Sequence, residues 1–280
     1  MKTVSHRIIA DMLTARTGQQ LTDDRLWRVE TALSGIFREH GISNIDQLVC
    51  LLAQPGSNLL AQQVVEALLN NETYFFRDPA MFDQIANKVL PEIARRREAS
   101  RSLSIWSAGC SSGQEALSLA MMFVEQEPRW DGWTIHITGT DIAERPIETA
   151  RRGVYSQFEI QRGLGIARML AHFDEVAGGW AVHRRLRDMI EFRTENLLEP
   201  VETARRYDLV LCRNVLLYFD PGTRRRAFSR VVDRMAEGGW LMLGAGESAV
   251  GHSDRLVPER DGMALYRLAP ASLDRCTRAA

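Results

Sequence analysis

Ile105 to Phe123 reads IWSAGCSSGQEALSLAMMF, and the order of its textures decides the fold. An apolar run rich in β-formers ends at Ala108, a loop of small residues continues to Gly113, and an apolar helical pattern follows. A strand entering a helix through such a loop brings backbone close to a ligand at the helix N-terminus. The loop lacks the GxGxxG order of a dinucleotide fold and the GK[ST] ending of a phosphate loop, so neither a pyrophosphate nor a triphosphate is its natural occupant. Glu115, in the first helical turn, would repel a phosphate and could accept a bond from an ammonium group. The same glutamate would also complement the helix dipole with no ligand present.

Downstream, WTIHITGTD (133–141), YDLVLCRN (207–214) and GGWLMLGA (238–245) are further short apolar runs, the first two followed by helical patterns. Alternating strand and helix predict a mainly parallel sheet with helices on both faces. MALYRLA (263–269) is a last strand candidate, predicted to pair antiparallel with the run before it. GGWAVHRRLRDMIEFRTENL (178–197) breaks the rhythm and predicts a small antiparallel excursion within about 166–193, turned by Gly178 and Gly179. Asp141 falls at a strand end one βαβ step beyond the small-residue loop, where an acid binds ribose hydroxyls; a helix cap is the alternative use. With Glu115 it gives the order and spacing of an adenosyl site, which favours S-adenosylmethionine.

Upstream, residues 5 to about 69 are helical in pattern. Leu26, Val29, Leu33, Ile36 and Phe37 recur at three and four; Thr22, Ser43 and Asn58 are cap candidates, and Gly41 a stop. PAMFDQIANKVLPEIARRR (79–97) opens with proline at a favoured first helical position and closes on arginines suited to a helix C-terminus. The organisation predicted is a helical domain over 1–70, a linker segment and helix over 71–98, a cofactor-binding α/β domain over 99–270, and a loose tail over 271–280.

The chain has 280 residues, 45% hydrophobic and 25% charged, with a formal net charge of -1, so it has material for a core and no global field toward nucleic acid or anionic lipid. Cys50, Cys110, Cys212 and Cys276 form no CxxC pair and have no nearby histidine ligands, which predicts a reduced, cytoplasmic setting and no metal cluster. No signal peptide and no apolar run of spanning length is visible. His6, His40, His136, His172, His183 and His252 are dispersed, and no Ser/His/Asp set or carboxylate pair points to hydrolysis.

NNETYFFRDP (70–79) sets two aromatic rings between a polar cluster and an Arg-Asp pair. Together with WSAGCSSGQE (106–115), TDIAERPIETARRGVY (140–155), NLL (196–198) and CRNVLLYFD (212–220), it resembles the chemotaxis receptor glutamate methyltransferases, the CheR family. Five motifs stand in register from the N-terminal helical region to Tyr266. The resemblance implies a Rossmann-like S-adenosylmethionine-dependent methyltransferase domain, with S-adenosylhomocysteine as product. It implies methyl transfer to glutamates on a chemoreceptor's cytoplasmic helices. It places Asn71, Thr73 and Arg77 in the cofactor and catalytic pocket on a lid anchored by Phe75 and Phe76. Ala108, Glu115 and Asp141 match the cofactor loop and ribose acid; Asn196 and Leu197 flank the adenine. Arg213, Asn214 and Tyr218 lie beside the cofactor and its methyl, Arg77 and Tyr218 being the catalytic candidates. Arg77 could instead pair with Asp78, and Tyr218 could be a core tyrosine with a satisfied hydroxyl.

Two features depart from the family. Its members are thought to meet the receptor through a basic N-terminal helix, but here Arg25, Arg28 and Arg38 are diluted by Asp23, Asp24, Glu30 and Glu39. The loop of the antiparallel excursion is short for gripping a peptide tether by strand addition, which predicts tether independence. Nucleic-acid substrates are disfavoured by the charge and by the absence of an NPPY-like motif. A module that binds S-adenosylmethionine without turnover, or a methyltransferase for another acid, are the competing readings.

Overall fold

The computed structural model describes residues 4–22, 25–200, 205–260 and 264–270. The chain divides into two units, Met1–Asn70 with Tyr218–Thr223, and Asn71–Leu217 with Arg224–Ala280. The anticipated tail, Cys276, Asp23 and Asp24 lie outside the described residues.

The first unit contains helices α1 (Val4–Thr17), α2 (Arg28–His40), α3 (Ile45–Leu52) and α4 (Asn58–Leu68). Their apolar stripes close on Ile9, Leu26, Val29, Leu33, Ile36, Leu48 and Val64. Gly41 ends α2 with φ 63, the left-handed turn that glycine adopts without a Cβ penalty. The caps differ from expectation. Arg25 N–H donates to the Thr22 carbonyl in a separate turn, so α2 begins only at Arg28 and Thr22 is not its cap. Asn44, not Ser43, caps α3 by accepting from Gln47 N–H, and Ser57 precedes α4 with Asn58 already inside. Tyr218–Thr223 joins this unit through a Gln19–Phe219 bridge and a 2.8 Å bond from Gln20 N–H to the Tyr218 carbonyl.

The second unit opens with α5 (Pro79–Gln84), a π turn (Ile85–Val89) and α6 (Leu90–Arg96). The wide turn falls just before Pro91, whose missing N–H and ring would disturb a regular ladder. Met81, Phe82, Ile85, Val89, Leu90 and Ile93 belong to the main core, so this helix packs within the α/β body. There follow β1 (Ser102–Ala108), α7 (Gln114–Glu125), α8 (Glu127–Trp130), β2 (Thr134–Asp141), α9 (Glu144–Arg152), β3 (Val154–Tyr155), α10 (Gln157–Gln161) and α11 (Ile166–His172). The remainder is β4 (Phe173–Val176), β5 (Gly179–Val182), α12 (Arg184–Arg187), β6 (Ile190–Thr194), β7 (Tyr207–Cys212), α13 (Pro221–Arg234), β8 (Met235–Leu243), β9 (Leu256–Pro258) and β10 (Leu265–Leu268).

Among the described residues a seven-stranded sheet runs β6-β2-β1-β7-β8-β10-β9. Its first five strands are parallel, and β10 pairs antiparallel with β8 and β9. This is the doubly wound, Rossmann-like arrangement that the alternating pattern requires. The antiparallel excursion is smaller than expected at one end and larger at the other. Ile190–Thr194 leaves it to lie parallel to β2, because its register brings Phe192 opposite Gly139 in the main sheet. Val154–Tyr155 joins it, giving a separate β3-β5-β4 sheet. Gly179 (φ 151) packs so closely that an added Cβ would stand 2.2 Å from the Tyr155 carbonyl oxygen.

Candidate active site

The strand order reverses between β1 and β7, and in open α/β sheets ligands bind at the carboxyl ends of the strands at such a point. The carboxyl ends of β1, β2, β6, β7 and β8 and the loops leaving them therefore define the site, and each candidate residue in the second unit lies at such a strand end, on such a loop, in the first turn of the following helix or on the segment before α5.

Ala108 ends β1, buried and in register with Thr140. The backbone then turns back on β2, with Gly109 and Cys110 N–H both donating to the Thr140 carbonyl at 2.8 and 2.9 Å. Asp141 ties two loops together. One carboxylate oxygen accepts from Ser111 N–H at 2.8 Å and the other from Ala143 N–H at 3.0 Å. Ser111 in turn donates its hydroxyl to the Asn71 carbonyl at 2.8 Å, fastening the segment before α5 to the loop after β1. Cys110 is fully buried, and burial, then Asp141 and Glu115, push its thiol well above the ordinary range, which keeps it protonated and unreactive.

Glu115 and Arg213 meet directly. Glu115 accepts from the Ser107 hydroxyl at 2.7 Å and from Arg213 Nη1 at 3.0 Å. Nη2 of Arg213 reaches Asp78 at 2.5 Å and the Arg77 carbonyl at 2.8 Å. The Arg213 side chain is 2% exposed. One guanidinium between two carboxylates leaves the cluster with one net negative charge, an environment that favours a cationic ligand group. Arg213 Nε and the Asn214 side-chain oxygen are buried without a hydrogen-bond partner, so each has bonding capacity left.

Glu247 was not foreseen from the sequence, although like Glu115 it is an acid soon after a strand end. Its carboxylate accepts from the backbone N–H groups of Asn214, Leu216, Leu217 and Gly244, at 2.8, 2.7, 3.1 and 2.8 Å. It shapes the loop after β7, where Asn214 sits at φ 61. Asp78, also missed, takes Arg213 as its partner rather than the adjacent Arg77.

Phe75 and Phe76 are buried, as the lid reading expects. Phe75 meets Tyr155 and Phe173 edge-on at 5.4 and 5.6 Å, and Phe76 N–H donates to Ser118. Thr73 and Arg77 are half-buried. Arg77 donates to the Glu72 carbonyl at 3.0 Å and makes no ion pair with a carboxylate among the described residues. Leu197 is half-buried beside Asn196, which closes an Asx turn by accepting from Leu198 N–H at 3.0 Å. Tyr218 belongs to the helical unit. Its hydroxyl accepts from Asn70 at 2.5 Å, and Arg25 lies 5.6 Å over its ring.

Residues 71–261 match the family model described as CheR methyltransferase, SAM binding domain. The chain belongs to the CheR methyltransferase family. It is similar to a chemotaxis protein methyltransferase of Pseudomonas putida, 36% identical over 85% of this chain and 87% of the relative. It is likewise similar to one of Vibrio parahaemolyticus, 32% identical over 89% and 91% of the two chains. Overlap with the glycopeptide N-methyltransferase MtfA complexed with S-adenosyl-L-homocysteine is slight, at TM-score 0.34, 14% identity, and 64% and 58% coverage, and carries no argument. The CheR chain is an S-adenosylmethionine-dependent methyltransferase. The site fits that cofactor: its net negative cluster and the orphaned Asn214 oxygen suit a ligand with an ammonium, a sulfonium and hydroxyl donors.

Proposed function

We propose that this protein methylates glutamate side chains on the cytoplasmic helices of a chemoreceptor, forming methyl esters in chemosensory adaptation. The relatives' names as chemotaxis methyltransferases support the pathway. The observation that carries the substrate class is Arg77. Both nearby acids that would neutralise it are committed elsewhere, Glu72 to Arg162 and Asp78 to Arg213. A guanidinium so placed is a bidentate seat for an incoming carboxylate.

The chemistry needs little else. S-adenosylmethionine supplies a methyl group on a positively charged sulfur. A glutamate is already ionised at neutral pH, so no general base is required, and no proton is released on forming the ester. Arg77 orients the carboxylate for in-line attack. Glu115, with Asp78 and Arg213, faces the cofactor's charged end; Asp141 accepts from ribose hydroxyls; Asn196 and Leu197 border the adenine; Asn71, Thr73, Ala108 and Asn214 complete the pocket. Tyr218 is carried by the family resemblance alone. The β4–β5 hairpin turns on only Ala177 and Gly178, which supports methylation without a tether peptide.

Labelled S-adenosylmethionine and membranes bearing the host's chemoreceptors test the reading. Alkali-labile label released as methanol is expected, lost in Asp141→Ala and reduced about 10²-fold or more in Arg77→Ala with cofactor affinity retained. Cofactor binding without any methanol from the wild type would refute it and favour a non-catalytic binding module.

A further inference from the structure

The turn between α10 and α11 reaches the lid at three points. Arg162 forms an ion pair with Glu72. Its guanidinium also lies 4.6 Å over the Tyr74 ring, and Arg77 lies over the same ring at 5.6 Å. Gly163 (φ +89) packs against the lid backbone so tightly that an added Cβ would fall 1.9 Å from the Phe75 carbonyl oxygen. Two guanidinium groups thus share one tyrosine ring, and one of them, Arg162, holds Glu72, the acid whose carbonyl the other already bonds.

Arg77 is a neighbour of that acid already. It donates to the Glu72 carbonyl at 3.0 Å, so its guanidinium is within a side-chain rotation of the Glu72 carboxylate. Without a competing cation, the opposite charges of Arg77 and Glu72 would attract one another. We propose that Arg162 is a positioning residue for methyl transfer: by occupying Glu72 and stacking on Tyr74, it keeps the Arg77 guanidinium free for the substrate carboxylate. The Glu72 carboxyl lies below its ordinary range, chiefly through the bond and charge of Arg162 and least through Arg77, in the same direction as the geometry. The pair is substantially exposed, with side chains 40% and 51% accessible, so solvent screening limits its effect to a modest factor.

This inference rests on the reading of Arg77 as the carboxylate seat, and a rescue experiment separates the two. Methanol release and cofactor affinity would be measured on the full chain for Arg77→Ala, Arg162→Ala, Glu72→Gln and the Arg162→Ala/Glu72→Gln double variant. Arg162→Ala is expected to lower turnover roughly three- to tenfold with unchanged cofactor affinity. In the double variant the competing charge is gone, and turnover should return to the level of Glu72→Gln alone. A residue that merely braced the lid would not be rescued in this way. If Arg77→Ala is inactive but Arg162→Ala behaves as wild type, or if Glu72→Gln fails to restore it, the positioning role is overturned while the Arg77 reading stands. If Arg77→Ala transfers methyl normally, both fall together.

Discussion

Glu247 shows how a single side chain can set the shape of a loop. A carboxylate accepting four backbone N–H groups replaces a turn of secondary structure for residues 214–217, and none of those donors has water to fall back on where it is buried. Glu247→Ala is expected to cost about 3 kcal/mol and Glu247→Gln about 1–2 kcal/mol, read as a lower urea midpoint at constant slope. An unchanged midpoint in the alanine variant would mean the loop holds itself. Asp141 closes β2 and Glu115 lies in the first turn of α7, each inside a motif, so both stand out as candidates in the sequence. The cluster around Glu115 does not stand out, since Arg213 bonds both Glu115 and Asp78, and Asp78 and Arg213 are 135 residues apart and meet only when the sheet folds. Asp78 pairs with Arg213 and not with its sequence neighbour Arg77.

At the scale of elements, the small β3-β5-β4 sheet was legible as an interruption, through its paired glycines and mixed texture, but its limits were not. IEFRT alternates like the strands on either side, and only the pairing of Phe192 with Gly139 assigns it to the main sheet. Where α11 meets β4, His172 is buried with its Nε2 3.3 Å from Glu125 and its Nδ1 3.3 Å from Arg185. A guanidinium can donate only to an unprotonated nitrogen, so this arrangement requires the neutral ring. Burial lowers the histidine below its ordinary value, and the Glu125 bond only partly opposes this. Below the ordinary value of about 6.5, the unfolded chain therefore takes up a proton before the native one does, and stability rises with pH across that window. Lowering pH from about 7 to 5 should reduce the melting temperature of the wild type more than that of His172→Gln. His252, lowered by burial and then by Arg224 and Arg225, leaves a residual slope in the variant. Equal slopes would show that His172 keeps its proton affinity on folding.

For the whole molecule, the division into a helical region and an α/β region could be read from periodicity, which changes from 3.6 to alternating β and α near residue 100. The finer partition could not. The helix over 79–96 precedes the first strand and its sequence does not say which core it joins; Met81, Phe82, Ile85, Val89, Leu90 and Ile93 enter the α/β core. Residues 218–223 read as part of a strand–helix connection, yet they group with the helices. Both assignments depend on long-range contacts that local patterns do not encode. The buried clusters of the two units share no residue: one is drawn from Ile9 to Val64, the other from Phe75 to Leu265. Separate cores of this kind commonly melt as separate cooperative transitions. Calorimetry is therefore expected to resolve two, of which S-adenosylmethionine shifts only the one belonging to the α/β unit, since a ligand stabilises the unit whose native state binds it. At a hundred times the dissociation constant the gain is about 2.7 kcal/mol. Tryptophan fluorescence should follow that same transition, because Trp106, Trp130, Trp133, Trp180 and Trp240 all lie in the α/β unit while Trp27 is in the helical one and 73% exposed. A single transition with equal calorimetric and van't Hoff enthalpies, moved as a whole by the cofactor, would instead mean that the helical unit gains its stability only with the α/β unit intact.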